Sequence, residues 1–183
     1  MRVIGGIYKS RVLVEFSGMD VRPTSDRAKE ALFNILAFSI RGARVLDLFA
    51  GSGSLGIEAI SRGASEVVFN DVAKESVAII KKNLQALKIP LSNQIKVYNY
   101  DYSTCLDAVQ GQFDFVFIDP PYKLEIGKLA LQKIAKKGLL SANGIIAYER
   151  DIPFEGEIDG LEKYDERKYG KAYITFFRKM REE

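Results

Sequence analysis

Val45-Leu46-Asp47-Leu48-Phe49-Ala50-Gly51-Ser52-Gly53-Ser54-Leu55-Gly56 is the segment that identifies the architecture of this chain. Its first residues have the apolar character of a buried strand, and its glycines predict a tight turn. A helical pattern of apolar residues then continues to about Arg62. Strand, glycine turn and helix begin a βαβ unit. The sequence therefore predicts an α/β protein with a mostly parallel sheet and helices on both faces.

The glycine spacing also matches a dinucleotide fingerprint, because an acidic residue, Asp71, follows about 20 residues later at the end of the predicted strand Glu66–Asn70. NAD is thus one possible ligand. Asp47 argues against it, since a carboxylate inside the strand just before the turn would repel a pyrophosphate. The same carboxylate suits a cationic ligand such as S-adenosylmethionine, whose ribose diol Asp71 is placed to hold.

A second motif, Asp119-Pro120-Pro121-Tyr122, directly follows the apolar run Phe113–Ile118. In open α/β sheets, ligands bind at the carboxyl ends of the strands. Two prolines stiffen this loop and leave the Asp119 carboxylate and the Pro120 carbonyl as acceptors, while Tyr122 offers a ring for stacking. The motif predicts a holder for the exocyclic amino group of a base. The alternative is a proline-terminated strand with an aspartate cap.

With both motifs in place, the sequence resembles the RsmD family, bacterial methyltransferases that methylate N2 of one guanine in 16S ribosomal RNA. The resemblance covers nearly the whole chain and departs mildly at Ala73, where some relatives carry a second acid. Its further parts are Arg2–Gly6 with Lys9 and Arg11, Arg22–Arg27 leading into Lys29–Asn34, and Lys82-Asn83-Leu84.

The resemblance implies a class I S-adenosylmethionine-dependent methyltransferase fold, Rossmann-like, with a seven-stranded, mostly parallel sheet whose last strand is antiparallel. The motifs and the resemblance together predict two groups of site residues. The catalytic group is Asp119, Pro120, Pro121 and Tyr122. The group that binds S-adenosylmethionine is Asp47, Phe49, Ala50, Gly51, Ser52, Gly53, Asp71, Asp101 and Thr24.

Along the chain, the patterns predict a single methyltransferase domain over residues 1–183. Residues 1–22 are expected to form an N-terminal hairpin extension, residues 23–38 an amphipathic helix, and residues 43–183 the catalytic sheet with its helices. The last two strands are expected to form a hairpin that turns at Tyr169-Gly170.

The composition excludes several classes of chemistry. The chain of 183 residues has no histidine, so a histidine base and a histidine-ligated metal are excluded and no metal is predicted. Its single cysteine, Cys105, excludes an internal disulfide and is expected to pack against the sheet. No apolar run approaches the length of a membrane span, and Arg2–Arg11 lacks the apolar core of a signal peptide. A cytoplasmic location is therefore expected.

The net charge of +3 is unevenly distributed, because residues 1–44 alone carry eight basic and four acidic residues. This excess predicts a footprint for RNA phosphate that includes Lys9, Arg11, Arg22 and Arg27, although a solvated surface would look the same. The expected partner is ribosomal RNA, in the small subunit or in its assembly intermediate. Two alternatives remain: an amino-methyltransferase of adenine or cytosine in DNA or other RNA, and a non-catalytic RNA-binding protein of ribosome assembly.

Overall fold

The computed structural model of the protein describes residues 1–16, 26–120 and 124–180, and the structural statements below refer to those ranges. They contain the helices α1 (Asp26–Ile35), α2 (Ser54–Ser61), α3 (Lys74–Ala86), α4 (Tyr102–Ala108) and α5 (Leu124–Lys136). They also contain the strands β1 (Arg44–Asp47), β2 (Glu66–Asn70), β3 (Ile95–Tyr98), β4 (Phe113–Ile118), β5 (Leu140–Arg150), β6 (Leu161–Tyr169) and β7 (Ala172–Lys179). None of these helices combines the length and the apolar character needed to cross a bilayer.

The strands form one seven-stranded sheet in the order β3-β2-β1-β4-β5-β7-β6. The first five strands of that order are mutually parallel, whereas β7 runs antiparallel to both of its neighbours. The predicted α/β class and the antiparallel last strand of the class I methyltransferase arrangement are therefore confirmed. The chain winds outward from β1 to β3 and then returns to β4, so a crevice opens at the carboxyl ends of β1 and β4.

Helices cover both faces of the sheet, because alternate residues of each buried strand point to opposite sides. Phe115 and Phe117 of β4 join one apolar cluster, while Val116 and Ile118 join the other. The first cluster receives α1, α2 and α3 through Leu32, Phe33, Ile57, Ile80 and Leu84. The second receives α4 and α5 through Cys105, Leu106, Ala130, Leu131 and Ile134. The prediction that Cys105 packs in the core is confirmed.

Two element boundaries differ from the sequence pattern. The helix α1 ends at Ile35, and Phe38, which the pattern placed in the helix, is fully exposed beyond it. The sequence pattern of residues 144–149 predicts a strand, but β5 begins four residues earlier, at Leu140, because Phe113 pairs with Leu140 whereas Phe115 pairs with Ile145. This irregularity is a β-bulge, which cannot be recognised from the two-residue periodicity of the sequence.

The N-terminal segment, residues 1–16, folds back on itself through one antiparallel bridge between Arg2 and Val12. It packs on α2: the main-chain N–H groups of Ile4 and Gly5 donate to the Glu58 carboxylate at 2.7 and 2.8 Å. Residues 17–22 of the predicted hairpin lie outside the described residues.

Candidate active site

Four carboxylates lie at the carboxyl ends of four adjacent parallel strands. In sheet order from β3 to β4 they are Asp101, Asp71, Asp47 and Asp119. They come from distant parts of the chain and meet because parallel strands all end at the same edge of the sheet. The structure thus brings together, at one edge, the acidic residues that the sequence placed in the cofactor and catalytic groups.

The glycine turn joins β1 to α2. Gly51 and Gly53 have φ angles of 54° and 79°, in the left-handed region that only glycine adopts without strain. A Cβ built on Gly51 would meet no atom within 4 Å, so that side of the turn is open to a ligand. Gly56 has the opposite role: a Cβ there would lie 2.2 Å from the Phe69 ring, so the missing side chain lets α2 pack closely on β2.

Asp47, the last residue of β1, is buried with a side chain that accepts a hydrogen bond from the Gly56 N–H at 2.9 Å. An internal carboxylate therefore occupies the position at the start of α2 where a dinucleotide would place its pyrophosphate. Burial raises the pKa of Asp47 to about 7, the Gly56 N–H opposes that rise, and the negative charge of Asp71 adds to it. A cationic group in the crevice would favour the ionised form.

Asp71 follows β2 and holds the turn from the other side. Its carboxylate accepts from the Gly51 N–H at 2.8 Å and from the Ala73 N–H at 2.9 Å. These bonds fix its orientation beside the open face of Gly51. The predicted contact with a ribose diol remains a prediction.

Asp101 is the N-cap of α4. Its side chain accepts from the N–H groups of Ser103 and Thr104 at 2.9 and 3.0 Å and from the Thr104 hydroxyl at 2.5 Å. These hydrogen bonds lower the pKa of the exposed carboxyl group. The capping role accounts for its position, and its predicted contact with adenine remains a prediction.

Neighbouring side chains brace this edge. Asn70 is buried and ties three strands together, because its amide group donates to the carbonyls of Leu48 and Tyr100 and accepts from the Tyr100 N–H. Phe69 is buried in the core. The Phe49 ring lies 6.1 Å from that of Tyr102, and Ala50 is buried.

Asp119 and Pro120 directly follow β4 and are both partly exposed. Asp119 comes two residues after Phe117, the register partner of Asp47, so the two carboxylates end neighbouring strands. Burial raises the pKa of Tyr148 on the adjacent strand β5, and the negative charge of Asp119 adds to that rise. Pro121 and Tyr122, the other members of the predicted catalytic group, lie outside the described residues, as does Thr24 of the cofactor group.

The helix α5 packs against the end of β5. Gly127 in its second turn packs directly on the Tyr148 hydroxyl, where a Cβ would lie 2.1 Å from the oxygen. This contact places the start of α5 against the end of β5.

The predicted RNA-binding residues are less closely grouped. Lys9, Arg11 and Arg27 are exposed, and Arg22 lies outside the described residues. Lys9 lies in the loop that contacts the end of α2 through Ser61, about 10 Å along the helix from the glycine turn. Lys9 therefore lies away from the row of carboxylates, whereas Arg11 pairs with Val3 in the returning half of the N-terminal segment.

A buried polar network that was not predicted from the sequence links the N-terminal segment, α1 and α2. Lys29 has no exposed surface, and its ammonium group donates to the Arg2 carbonyl at 2.6 Å and to the Ser54 hydroxyl at 2.9 Å. Glu58, equally buried, lies 3.6 Å from Lys29 and also pairs with Arg62. Burial lowers the pKa of Lys29, and the charge of Glu58 opposes that shift.

A sequence signal for this network existed. Lys29 stands at the i position of an apolar helical face that continues through Leu32, Phe33 and Leu36, where a solvated lysine would be misplaced. Such a position indicates a buried charge with partners, although the sequence cannot say which partners.

Comparisons with known proteins agree with this geometry. Residues 1–178 match the family model described as Conserved hypothetical protein 95. The ribosomal RNA small subunit methyltransferase D of Haemophilus influenzae is 40% identical over 153 residues, which cover 82% of this chain and 79% of that protein. A Bacillus subtilis protein provisionally named rRNA methyltransferase YlbH is 35% identical over 98% of this chain and 99% of its own length.

Among solved structures, a chain from Escherichia coli provisionally named methyltransferase yhhF superposes with a TM-score of 0.85 at 30% identity. The match covers 98% of this chain and 97% of that one.

Proposed function

Because the chain belongs to the family described as Conserved hypothetical protein 95, the RsmD family, we propose that it methylates N2 of a guanine in small-subunit (16S) ribosomal RNA. The methyl donor in this proposal is S-adenosylmethionine. The observation that carries it is the position of Asp119 and Pro120 at the end of β4, beside the glycine turn and Asp47 at the end of β1. The name of the Haemophilus influenzae relative supports ribosomal RNA as the substrate.

The residues of the crevice fit S-adenosylmethionine, which supplies an electrophilic methyl group on a sulfonium. The open face of Gly51 leaves room for the ligand. In this proposal, Asp47 faces the ammonium end and Asp71 holds the ribose, while Phe49 and Asp101 stand near the adenine. NAD is disfavoured, since the Asp47 carboxylate already takes the Gly56 N–H that a pyrophosphate would need.

The task of the catalytic loop follows from the chemistry of the amino group. The N2 lone pair of guanine is delocalised into the ring, which makes it a poor nucleophile. The Asp119 carboxylate and the Pro120 carbonyl accept its two N–H groups, orient the nitrogen and stabilise the positive charge that develops on it. Tyr122 stacks on the base, which must first leave its helix.

The test is transfer of labelled methyl groups from S-adenosylmethionine to small ribosomal subunits that lack the modification, followed by nucleoside analysis. We expect N2-methylguanosine with the wild-type protein and loss of most turnover in Asp119→Ala, with the affinity for S-adenosylhomocysteine nearly unchanged. Label in adenosine or cytidine would contradict the proposed target base. Near-normal turnover in Asp119→Ala would refute the role of the loop.

The basic N-terminal segment supports an RNA substrate and gives a second test. Replacing Lys9 and Arg11 by Ala is expected to weaken RNA binding and to make the log–log salt dependence shallower by about 1–2 units, since each lost phosphate contact releases about one counterion fewer. A matched control removes the same charge at Lys136 and Lys179, the last residues of α5 and β7. Equal salt-dependence slopes in the two double variants would show that Lys9 and Arg11 are solvated surface charges that make no phosphate contact.

A further inference from the structure

The N-cap residue of α2 makes no side-chain hydrogen bond. Gly53 is the N-cap of α2 and has no side chain to accept a hydrogen bond from the first turn of the helix, a role that serine, threonine or aspartate commonly performs. The residues on either side of it, Ser52 and Ser54, are instead held by side chains from other helices. The position of the turn is therefore set by long-range contacts.

Asn83 of α3 provides one of these contacts. Its amide nitrogen donates to the Ser52 carbonyl at 3.0 Å and to the Val14 carbonyl at 3.0 Å, and its amide oxygen accepts from the Val14 N–H at 2.7 Å. The side chain is 1% exposed, so water does not compete for these bonds. The amide orientation is unambiguous, because two carbonyls require its nitrogen and one N–H requires its oxygen.

Lys29 provides a second contact. It joins the Ser54 hydroxyl to the main chain of Arg2, at the opposite end of the same N-terminal segment. Both links therefore connect the turn to residues 1–16, through two different helices. Neither Asn83 nor Lys29 is placed to touch the reacting base.

We propose that Asn83 is a positioning residue for the methyl donor: it fixes the glycine turn against the N-terminal segment at Val14. This inference rests on the proposed function. Because binding linkage is reciprocal, a ligand that orders the glycine turn also orders Val14. Binding of the methyl donor therefore stabilises the N-terminal segment, residues 1–16, which is proposed to dock RNA.

The first measurement uses the wild-type protein. Hydrogen exchange of the Val14 amide is compared with and without saturating S-adenosylhomocysteine, and we expect exchange to slow at least about fivefold, the lower end of typical coupling between sites. The amide of Met180, which bonds to the Gly160 carbonyl far from the turn, is the internal reference and should not change. Unchanged exchange at Val14 would overturn the inference.

The second measurement uses Asn83→Leu, which keeps the number and branching of the side-chain heavy atoms and removes all three hydrogen bonds. We expect the KM for S-adenosylmethionine and the Kd of S-adenosylhomocysteine to rise about tenfold, while kcat at saturating donor stays within about threefold, since the catalytic loop is untouched. The matched control is Ser61→Ala. Ser61 accepts from the Tyr8 N–H and donates to the Gly5 carbonyl, so its loss loosens the same segment without touching the turn.

The outcomes separate the two proposals. Ser61→Ala should bind S-adenosylhomocysteine within about twofold of wild type; a loss equal to that of Asn83→Leu would overturn the positioning role in favour of general loosening. Wild-type affinity in Asn83→Leu would overturn it directly. Should Asn83→Leu fail to fold, the Val14 exchange decides alone. A wild-type protein that does not bind S-adenosylhomocysteine would overturn the proposed function together with this inference.

Discussion

Replacing Asp47 by Asn tests the electrostatics of the crevice most directly. The amide oxygen of asparagine can still accept the Gly56 N–H, so the substitution keeps the packing and the hydrogen bond at 2.9 Å and removes only the ability to ionise. Asp47 is 2% exposed, and its pKa is raised from 3.8 to about 7. In the absence of a cationic ligand, the ionised carboxylate is therefore a destabilising group at the end of β1.

The sign and the magnitude follow from linkage. The native state retains the Asp47 proton up to about pH 7, whereas the unfolded chain releases it near pH 3.8. Stability from this group is thus fully present below the unfolded pKa and is lost as the pH rises through the folded pKa. A shift of about 3 units corresponds to about 4 kcal/mol at most. The unfolding free energy of Asp47→Asn minus that of wild type should therefore increase by about 4 kcal/mol as the pH rises from 4 to 8.

The assay is urea unfolding of the ligand-free protein at pH 4, 6 and 8. Burying the new amide N–H groups costs about 1–3 kcal/mol at every pH. The informative quantity is therefore how the difference in unfolding free energy between Asp47→Asn and wild type varies with pH. Asp101→Asn is the flat control: the pKa of that carboxyl is lowered from 3.8, so its stabilisation is lost only below the pH range of the assay, and its difference from wild type should stay nearly constant from pH 4 to pH 8. A difference between Asp47→Asn and wild type that stays constant from pH 4 to pH 8 would refute the reasoning.

Two further predictions concern buried groups. Lys29→Met should lower the unfolding free energy by about 3 kcal/mol, since it removes one partner of a buried ion pair and leaves Glu58 less compensated, and thermal or urea unfolding measures the loss. Cys105 should resist thiol reagents in the native protein and react fully in urea, because burial raises its pKa to about 12; rapid labelling without denaturant would contradict its placement in the core.

Local patterns in the chain are sufficient to predict the α/β class, the order of strands and helices, and the residues that end each parallel strand. Alternating and helical periodicities carry that information, and parallel strands necessarily deliver their last residues to one edge. Asp47, Asp71, Asp101 and Asp119 can therefore be assigned to one crevice from their positions in the sequence. The bulge before Gly144 in β5 and the end of α1 cannot be located in this way, because neither changes the local pattern.

Which buried polar groups meet depends on the packing of the whole molecule. Val14 and Asn83 are 69 residues apart and Ile4 and Glu58 are 54 apart, so no local pattern pairs them. The same is true of Asp47, whose raised pKa depends on its depth below the surface and not on its neighbours in the chain. Hydrogen bonds and desolvation act through short distances in space, and those distances exist only once the helices have packed on the sheet.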